Sequence, residues 1–165
     1  MMLEEFNSAA RTAIVTVLRP CIDVQRWINE IADARPYETV QDLTDRARLA
    51  ASPFTDPEIE AALAHHPRIG ERAAGPSTEA SLSRTEQAAV DPSDETVATA
   101  LADGNHAYEE KFGRVFLIRA AGRSSRDILD ALNERLAHSE AEEKPIVAQQ
   151  LREIAILRLK GAVTP

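Results

Sequence analysis

Three groups of polar residues in this sequence have side chains suited to proton transfer or anion binding. The first is His66, which follows the apolar residues Ile59, Ala62 and Leu63 at helical spacing and directly precedes Pro67. An imidazole exchanges protons near neutral pH, so His66 is a candidate general acid and base at a helix end. The alternative interpretation is a core histidine whose hydrogen bonds are satisfied within the protein.

The second candidate is Arg158, which falls on the apolar stripe of the last predicted helix. Val147, Leu151 and Ile154 precede it at steps of four, three and four residues, so its guanidinium should point inward. An inward arginine requires an anion, and its planar donor fork also suits a ligand carboxylate or carbonyl. Arg158 is therefore either one half of a structural salt bridge or a ligand-binding group.

The third candidate is the cluster Ser83, Glu86 and Gln87. The segment Ser83-Arg84-Thr85-Glu86 matches the capping box, which predicts a helix start at this point. A cap alone uses two of the three polar groups. The cluster is therefore either a plain cap or part of a binding site.

Other patterns typical of metal, cofactor or nucleic-acid sites are missing from the sequence. The four histidines include no pair three residues apart on one helix, which argues against a metal site. The sequence contains neither a glycine-rich phosphate loop nor a Gly-x-Ser-x-Gly elbow. A net charge of −8, from 19 basic and 27 acidic residues, repels nucleic-acid phosphates. We therefore expect a small-molecule partner, no metal and no nucleic acid.

Cysteine content and apolar runs predict the compartment. Cys21 is the single cysteine, so no intrachain disulfide is possible and a reducing compartment fits. The longest apolar runs, such as 115–118, are too short to span a bilayer, and the start Met1 to Glu5 has no apolar signal core. We expect a cytoplasmic protein that does not contact membranes.

The elements that position the candidate residues are predicted to be helices. Apolar residues recur at helical spacing almost throughout, which predicts one all-α domain over residues 1–165, with about seven to nine helices and no significant sheet. His66 should end a helix that starts at Asp56, and 70–82 reads as a long loop. The other predicted features are a helix capped by Asn7, helices from 23 to before Arg35-Pro36 and from Thr39 to Ala50, a helix over 93–112 stopped by Gly113, a connector over 115–118, and helices over 125–137 and 140–160.

Three segments in this order resemble one enzyme family. They are residues 66–70 (HPRIG), residues 83–87 (SRTEQ) and residues 105–113 (NHAYEEKFG). The chain resembles the OHCU decarboxylases over nearly its whole length. The resemblance implies cofactor-free decarboxylation of 2-oxo-4-hydroxy-4-carboxy-5-ureidoimidazoline to (S)-allantoin and CO2 in urate degradation, by a homodimer.

The same resemblance implies roles for individual residues. His66 is expected to be the catalytic acid and base, and Glu86 and Arg158 to line the same pocket as further catalytic residues. Substrate-binding residues are expected at Pro67, Ser83 and Gln87, and in the connector at Phe116, Leu117, Ile118, Arg119 and Ala120. Arg114 departs from the pattern, because the family usually has phenylalanine there, and this puts the packing around the connector in question.

Two other functions compete with decarboxylation. A helical module of this fold that only binds a ureido or purine-derived ligand has no need of a proton-transfer group such as His66. A metal-free hydrolase in which His66 and Glu86 activate water predicts hydrolysed ureido products and no CO2. Both alternatives are open to a direct product assay.

Overall fold

The computed structural model describes residues 1–71, 73–90 and 93–165, and these residues form helices with no regular strand. Within these ranges one isolated bridge pairs Met2 with Thr164. The nine helices in the described ranges are α1 Leu3–Ser8, α2 Arg11–Leu18, α3 Gln25–Asp33, α4 Val40–Leu49, α5 Asp56–Leu63, α6 Thr78–Glu86, α7 Glu95–Phe112, α8 Ser125–Leu136 and α9 Glu140–Ala162. The predicted all-α class is confirmed.

The chain divides into two compact units. The first unit comprises residues 1–62 and 151–165, and the second comprises residues 63–150. Helix α9 contributes residues to both units. A single domain over 1–165 stays a prediction.

Several helix ends lie where local side-chain chemistry predicts them. Thr39 caps α4 and its hydroxyl accepts from the Asp42 backbone, while the Asp42 carboxylate accepts from the Thr39 backbone. Ser124 forms the same reciprocal box at the start of α8. Gly113 ends α7 in the left-handed conformation, with φ of +68°, which a residue without a Cβ adopts at little cost.

The first predicted helix is instead two short helices, α1 and α2. Asn7 does not start a helix, because its amide pairs with the backbone of Tyr37. The Asn7 Nδ2 donates to the Tyr37 carbonyl at 2.8 Å, and its Oδ1 accepts from the Tyr37 N–H at 2.9 Å. Ala9 and Ala10 are extended where the two helices meet. A partner thirty residues away thus replaces the capping role predicted from local sequence.

The first unit buries large apolar side chains from α1 to α4. Trp27 is fully buried, and its indole N–H donates to the Ala47 carbonyl at 2.8 Å. Cys21 is also buried, and this burial raises the pKa of its thiol to about 12.

Among the helices of the described ranges, none has both the length and the apolar character needed to cross a bilayer.

In the second unit, α7 packs closely on α8 around an apolar cluster. Gly104 of α7 faces Leu132 of α8, and a Cβ atom at position 104 would lie 2.5 Å from Leu132 Cδ2. Leu132 is itself fully buried. The cluster comprises Ile69, Val97, Leu101, Tyr108, Phe116, Ile118, Ala120, Ile128 and Leu132. The absence of a side chain at Gly104 is therefore what permits this close approach.

Replacing Gly104 with alanine is expected to lower the free energy of unfolding by about 1–3 kcal/mol, because the new methyl group displaces Leu132 from a full core. The higher helix propensity of alanine offsets only about 1 kcal/mol of this loss. Urea unfolding measures the difference. Gly161→Ala in α9 is the matched control, since open space surrounds its Cβ position. Equal stabilities of Gly104→Ala and the unsubstituted chain would contradict the packing described.

The connector after α7 has no regular secondary structure, and alternate residues of it belong to the apolar cluster. Phe116, Ile118 and Ala120 belong to that cluster, at a period of two. The guanidinium of Arg114 donates to both carboxylate oxygens of Glu140, at 2.8 and 3.2 Å. Position 114, where the family resemblance predicts phenylalanine, therefore carries an arginine that forms an ion pair with the first turn of α9.

A buried polar cluster lies behind the connector. Glu143 is fully buried, and its carboxylate accepts from Tyr108 Oη at 2.7 Å and from Arg135 Nε at 2.6 Å. His138 Nδ1 lies 3.1 Å from the other carboxylate oxygen. Arg135 also donates to the Leu117 carbonyl. The cluster therefore links α7, the connector, α8 and α9 within the second unit.

Candidate active site

The second unit contains a cavity of about 580 Å³, a size typical of small-molecule sites. Its walls come from the turn after α5, from α6 and the residues that follow it, and from α7. The lining residues are Arg68, Ile69, Gly70, Glu71, Ser83, Arg84, Gln87, Val90, Ala98, Leu101, Ala102, Asn105, His106 and Glu109. The cavity therefore combines an apolar wall on α7 with charged and amide groups.

His66 lies in a turn beyond the end of α5. The helix ends at Leu63, and the His66 N–H donates to the Leu63 carbonyl at 3.0 Å. The predicted continuation of the helical stripe to His66 is therefore wrong, and its side chain is half-buried instead of being part of the core. Pro67 follows it and Arg68, the next residue, begins the cavity wall.

Three side chains hold residues 66–70, which we call the histidine turn. The Arg68 guanidinium donates to both carboxylate oxygens of Glu109, at 2.5 and 3.0 Å. Asn105 Nδ2 donates to the Ile69 carbonyl at 2.9 Å. The Gly70 N–H donates to Gln87 Oε1 at 3.0 Å. Three successive residues of the turn are thus fixed by side chains from other walls of the cavity.

Helix α6 begins earlier than predicted. Ser77 caps it, and the Ser77 hydroxyl accepts from the Ala80 N–H at 3.1 Å. The predicted helix start at Ser83 is therefore wrong, because Ser83 lies in the last part of α6, where its carbonyl accepts from the Gln87 N–H at 3.1 Å. The buried face of this helix is formed by the small residues Ala80 and Ser83. This buried face has no large apolar residue of the kind that makes a helical period visible in a sequence.

Two of the predicted substrate-binding residues, Ser83 and Gln87, line the cavity. Ser83 is buried, with 3% of its surface exposed. The lining contributed by the described residues does not include His66, Pro67 or Glu86. His66 and Pro67 directly precede Arg68, and Glu86 is the last residue of α6, between Arg84 and Gln87. The sequence clusters around His66 and Ser83 therefore converge on one cavity.

The connector residues 116–120 lie outside this lining, among the part of the chain described. The backbone of the connector bonds within the protein: Arg119 N–H donates to Gln150 Oε1 at 2.8 Å, and the Arg119 carbonyl accepts from Arg123 Nε at 3.0 Å. The Leu117 carbonyl accepts from Arg135. Contact between this backbone and a substrate stays a prediction.

Arg158 belongs to the first unit. It is buried, with 5% of its surface exposed, as its helical stripe predicts. Its Nη1 donates to the Pro20 carbonyl at 3.0 Å. This acceptor is a backbone carbonyl of the protein, which neither of the two interpretations of Arg158 predicted. The substrate-binding role of Arg158 stays a prediction.

The arginine side chains of the cavity wall donate hydrogen bonds to a carboxylate, in the case of Arg68, and to backbone carbonyls, in the case of Arg84. The hydrogen bond from Arg68 holds the pKa of the Glu109 carboxyl below its ordinary value, so this group is ionised at neutral pH. Arg84 Nη1 donates to the carbonyls of Ala73 and Gly75, both at 3.1 Å, and so holds the segment before α6.

No group of three His, Cys, Asp or Glu side chains in the described ranges is arranged to hold a metal ion.

Sequence reasoning missed the contributions of Asn105 and Glu109. Both belong to a segment that carries the family resemblance, yet neither was assigned a role. The signal was available, because Asn105 follows Leu101 by four residues on the buried stripe of α7. A polar residue on an apolar stripe is the same anomaly that singles out Arg158.

Comparisons with known proteins give a consistent result. A model of the OHCU decarboxylase family matches residues 7–160. Two curated relatives are named 2-oxo-4-hydroxy-4-carboxy-5-ureidoimidazoline decarboxylase. The protein from Haloferax volcanii is 25% identical, with 96% of this chain and 94% of the relative covered. The protein from Halalkalicoccus jeotgali is 22% identical, with 100% and 93% covered.

Two solved structures share the fold. An OHCU decarboxylase crystallised in the presence of (S)-allantoin superposes with a TM-score of 0.68 at 26% identity, covering 93% of this chain and 97% of that one. An (S)-allantoin synthase gives a TM-score of 0.72 at 15% identity, covering 99% of this chain and 54% of that one. At that identity, the second likeness shows the fold alone.

Proposed function

Because this chain belongs to the OHCU decarboxylase family, it decarboxylates 2-oxo-4-hydroxy-4-carboxy-5-ureidoimidazoline in urate degradation, and we propose that His66 handles the proton of that reaction. The observation that carries this assignment is the cavity walled by the histidine turn and lined by Ser83 and Gln87. His66 lies two residues before the start of that lining, and the backbone is held on both sides of it, at Leu63 and at residues 68–70.

The substrate supplies its own electron sink. When the bond to the carboxylate breaks and CO2 leaves, the electron pair forms a double bond to the neighbouring imine carbon, and the imine nitrogen takes a proton. The hydroxyl then gives its proton to His66, acting as base, and becomes the ring carbonyl; His66, acting as acid, gives a proton to one face of the ureido-bearing carbon. Overall the reaction consumes one proton, which balances the negative charge of the carboxylate that leaves as CO2. The chain need only orient the substrate and move protons.

The roles proposed for Ser83 and Gln87 follow from their position in the cavity lining, and those of Glu86, Pro67, Arg158 and the connector follow from the family resemblance. Ser83 and Gln87 bind the ureido arm, and since Gln87 Oε1 accepts from Gly70, its NH2 group is the part turned to a ligand carbonyl. Glu86 assists His66 in proton transfer, and Pro67 contacts the substrate beside it. Arg158 and the connector residues 116–120 are also proposed to bind substrate.

A coupled assay separates decarboxylation from its alternatives. We expect freshly generated substrate to release one CO2 per molecule and to give the circular dichroism of (S)-allantoin as soon as the protein is added. A module that only binds predicts the same slow, racemic decay as buffer. A hydrolase predicts cleaved ureido products without CO2. Either of these two outcomes would refute the proposed chemistry.

We also propose that the enzyme is cytoplasmic, as the cysteine content and apolar runs of the sequence predict, and that it is a homodimer, as the family resemblance implies. Sedimentation velocity at micromolar concentration tests the oligomeric state, with a single species of twice the chain mass expected. A species of one chain mass at all concentrations would contradict it. Fractionation of cells that express the chain tests the location.

A further inference from the structure

Asn105 occupies an unusual position in the cavity wall. It is only 6% exposed, and it lies on the same face of α7 as Leu101 and Glu109. Its Nδ2 donates to the Ile69 carbonyl at 2.9 Å. Because a carbonyl only accepts, this bond fixes which end of the amide faces the histidine turn.

The other half of the Asn105 amide is not satisfied. Its Oδ1 is buried and accepts no hydrogen bond within the described part of the chain. A buried acceptor without a partner destabilises the folded state. An asparagine that served only the fold would be expected to use both ends of its amide. This imbalance, at a residue of the cavity lining, makes Asn105 a candidate for a role at the site.

We propose that Asn105 is a positioning residue for His66, acting through the backbone of the histidine turn; this inference rests on the proposed function. Between the two residues the chain has little freedom. Asn105 holds Ile69, Glu109 holds Arg68, and the ring of Pro67 fixes its own φ. On the other side, the His66 N–H is bonded to Leu63. Asn105 therefore acts on the position of the imidazole through the backbone of residues 66–69.

The distance over which such positioning matters is small. A displacement of about 1 Å in a reacting group reduces turnover by about 100-fold in sensitive cases. A loosened imidazole also transfers its proton less selectively. Loss of the Asn105 bond is therefore expected to change kcat and the enantiomeric purity of allantoin, with little effect on KM.

Asn105→Asp is the sharpest test. The variant keeps the size of the side chain but replaces the donor with a carboxylate oxygen, which repels the Ile69 carbonyl. We expect kcat to fall about 10- to 100-fold, KM to stay within threefold, and the (S)-allantoin product to become partly racemic. Asn133→Asp is the matched control, because it makes the same charge change at an exposed position of α8. It is expected to behave as the unsubstituted enzyme does.

Imidazole NMR gives a readout that does not depend on activity. The His66 signals, assigned by their loss in His66→Gln, are expected to shift and broaden in Asn105→Asp, while the signals of His138 against Glu143 stay unchanged. This result would support the contact even if His66→Gln proved active and the proposed function failed. Unchanged His66 signals in Asn105→Asp would overturn the inference, whatever happened to kcat.

Glu109→Ala keeps the inference testable if Asn105→Asp does not fold. It removes both bonds to Arg68 at a more exposed pair, whose side chains are 47% and 24% exposed. We expect a smaller loss of kcat, about 3- to 10-fold on the same geometric argument, with broadened His66 signals. Unsubstituted kcat together with unchanged signals would overturn the inference.

Discussion

Glutamine at position 66 is expected to reduce kcat by a factor of about 10² to 10⁴, the usual contribution of a general acid and base. Glutamine has a similar size and forms hydrogen bonds, but it does not exchange a proton near neutral pH. Folding should be unaffected, because His66 is half-buried and lies outside α5. Stopped assays of CO2 release and of (S)-allantoin circular dichroism measure the loss.

His65→Gln is the natural control for this experiment. It removes an imidazole from the adjacent residue, which is exposed, and it should leave kcat within about threefold of the unsubstituted value. The comparison separates a specific proton transfer from a general effect on the turn. Turnover by His66→Gln within threefold of the unsubstituted enzyme would show that another group handles the proton.

Replacing Glu143 with leucine is expected to lower the free energy of unfolding by about 3–5 kcal/mol, because it leaves the buried Arg135 charge without its partner. Arg135 has only 7% of its side chain exposed and Glu143 has none. Arg135→Met should lower the free energy of unfolding by a similar amount, because it leaves the buried Glu143 carboxylate without its charged partner. The double variant should lose much less than the sum of the two, since no buried charge is left.

Urea unfolding of the four proteins at pH 7 measures this cycle. The exposed Glu134→Gln on α8 is the control for a carboxylate lost without burial. Additive losses in the double variant would contradict a direct ion pair between Glu143 and Arg135.

The contribution of Glu143 should also depend on pH. Burial alone raises the pKa of its carboxyl, but hydrogen bonds from Arg135 and Tyr108 outweigh burial, so the net pKa lies below the ordinary value. The folded state therefore favours the ionised form more than the unfolded state does. The stabilisation is complete above the unfolded-state pKa and is lost as pH falls through the folded-state pKa. The difference in free energy of unfolding between the unsubstituted chain and Glu143→Gln should accordingly become smaller below about pH 4.

Features of the fold that depend on neighbouring residues are predictable from the sequence. The caps at Thr39 and Ser124 and the stop at Gly113 each involve residues within four positions of one another. Short-range hydrogen bonds of this kind are encoded locally, so pattern reasoning finds them. The inward position of Arg158 follows from helical spacing in the same way.

Features that depend on distant partners were not predictable. Asn7 resembles a helix cap but instead pairs with Tyr37. Ser83 resembles a cap, but Ser77 takes that role because α6 buries only small residues. The Asn105 contact spans thirty-six residues, and its meaning depends on the turn at Ile69. Nothing within a helical window specifies such partners, so the wall of the cavity emerges only from the fold.

The lining of the cavity comes entirely from the continuous stretch between Arg68 and Glu109, among the residues described. This continuity has a consequence for protein engineering. One gene cassette that starts at His66 encodes the proposed acid and base, all of these lining residues and the three side chains that hold the histidine turn, those of Gln87, Asn105 and Glu109. Exchanging this cassette between relatives would transfer the cavity as a unit, and a combinatorial library confined to it would vary the binding surface while the first unit keeps its own sequence.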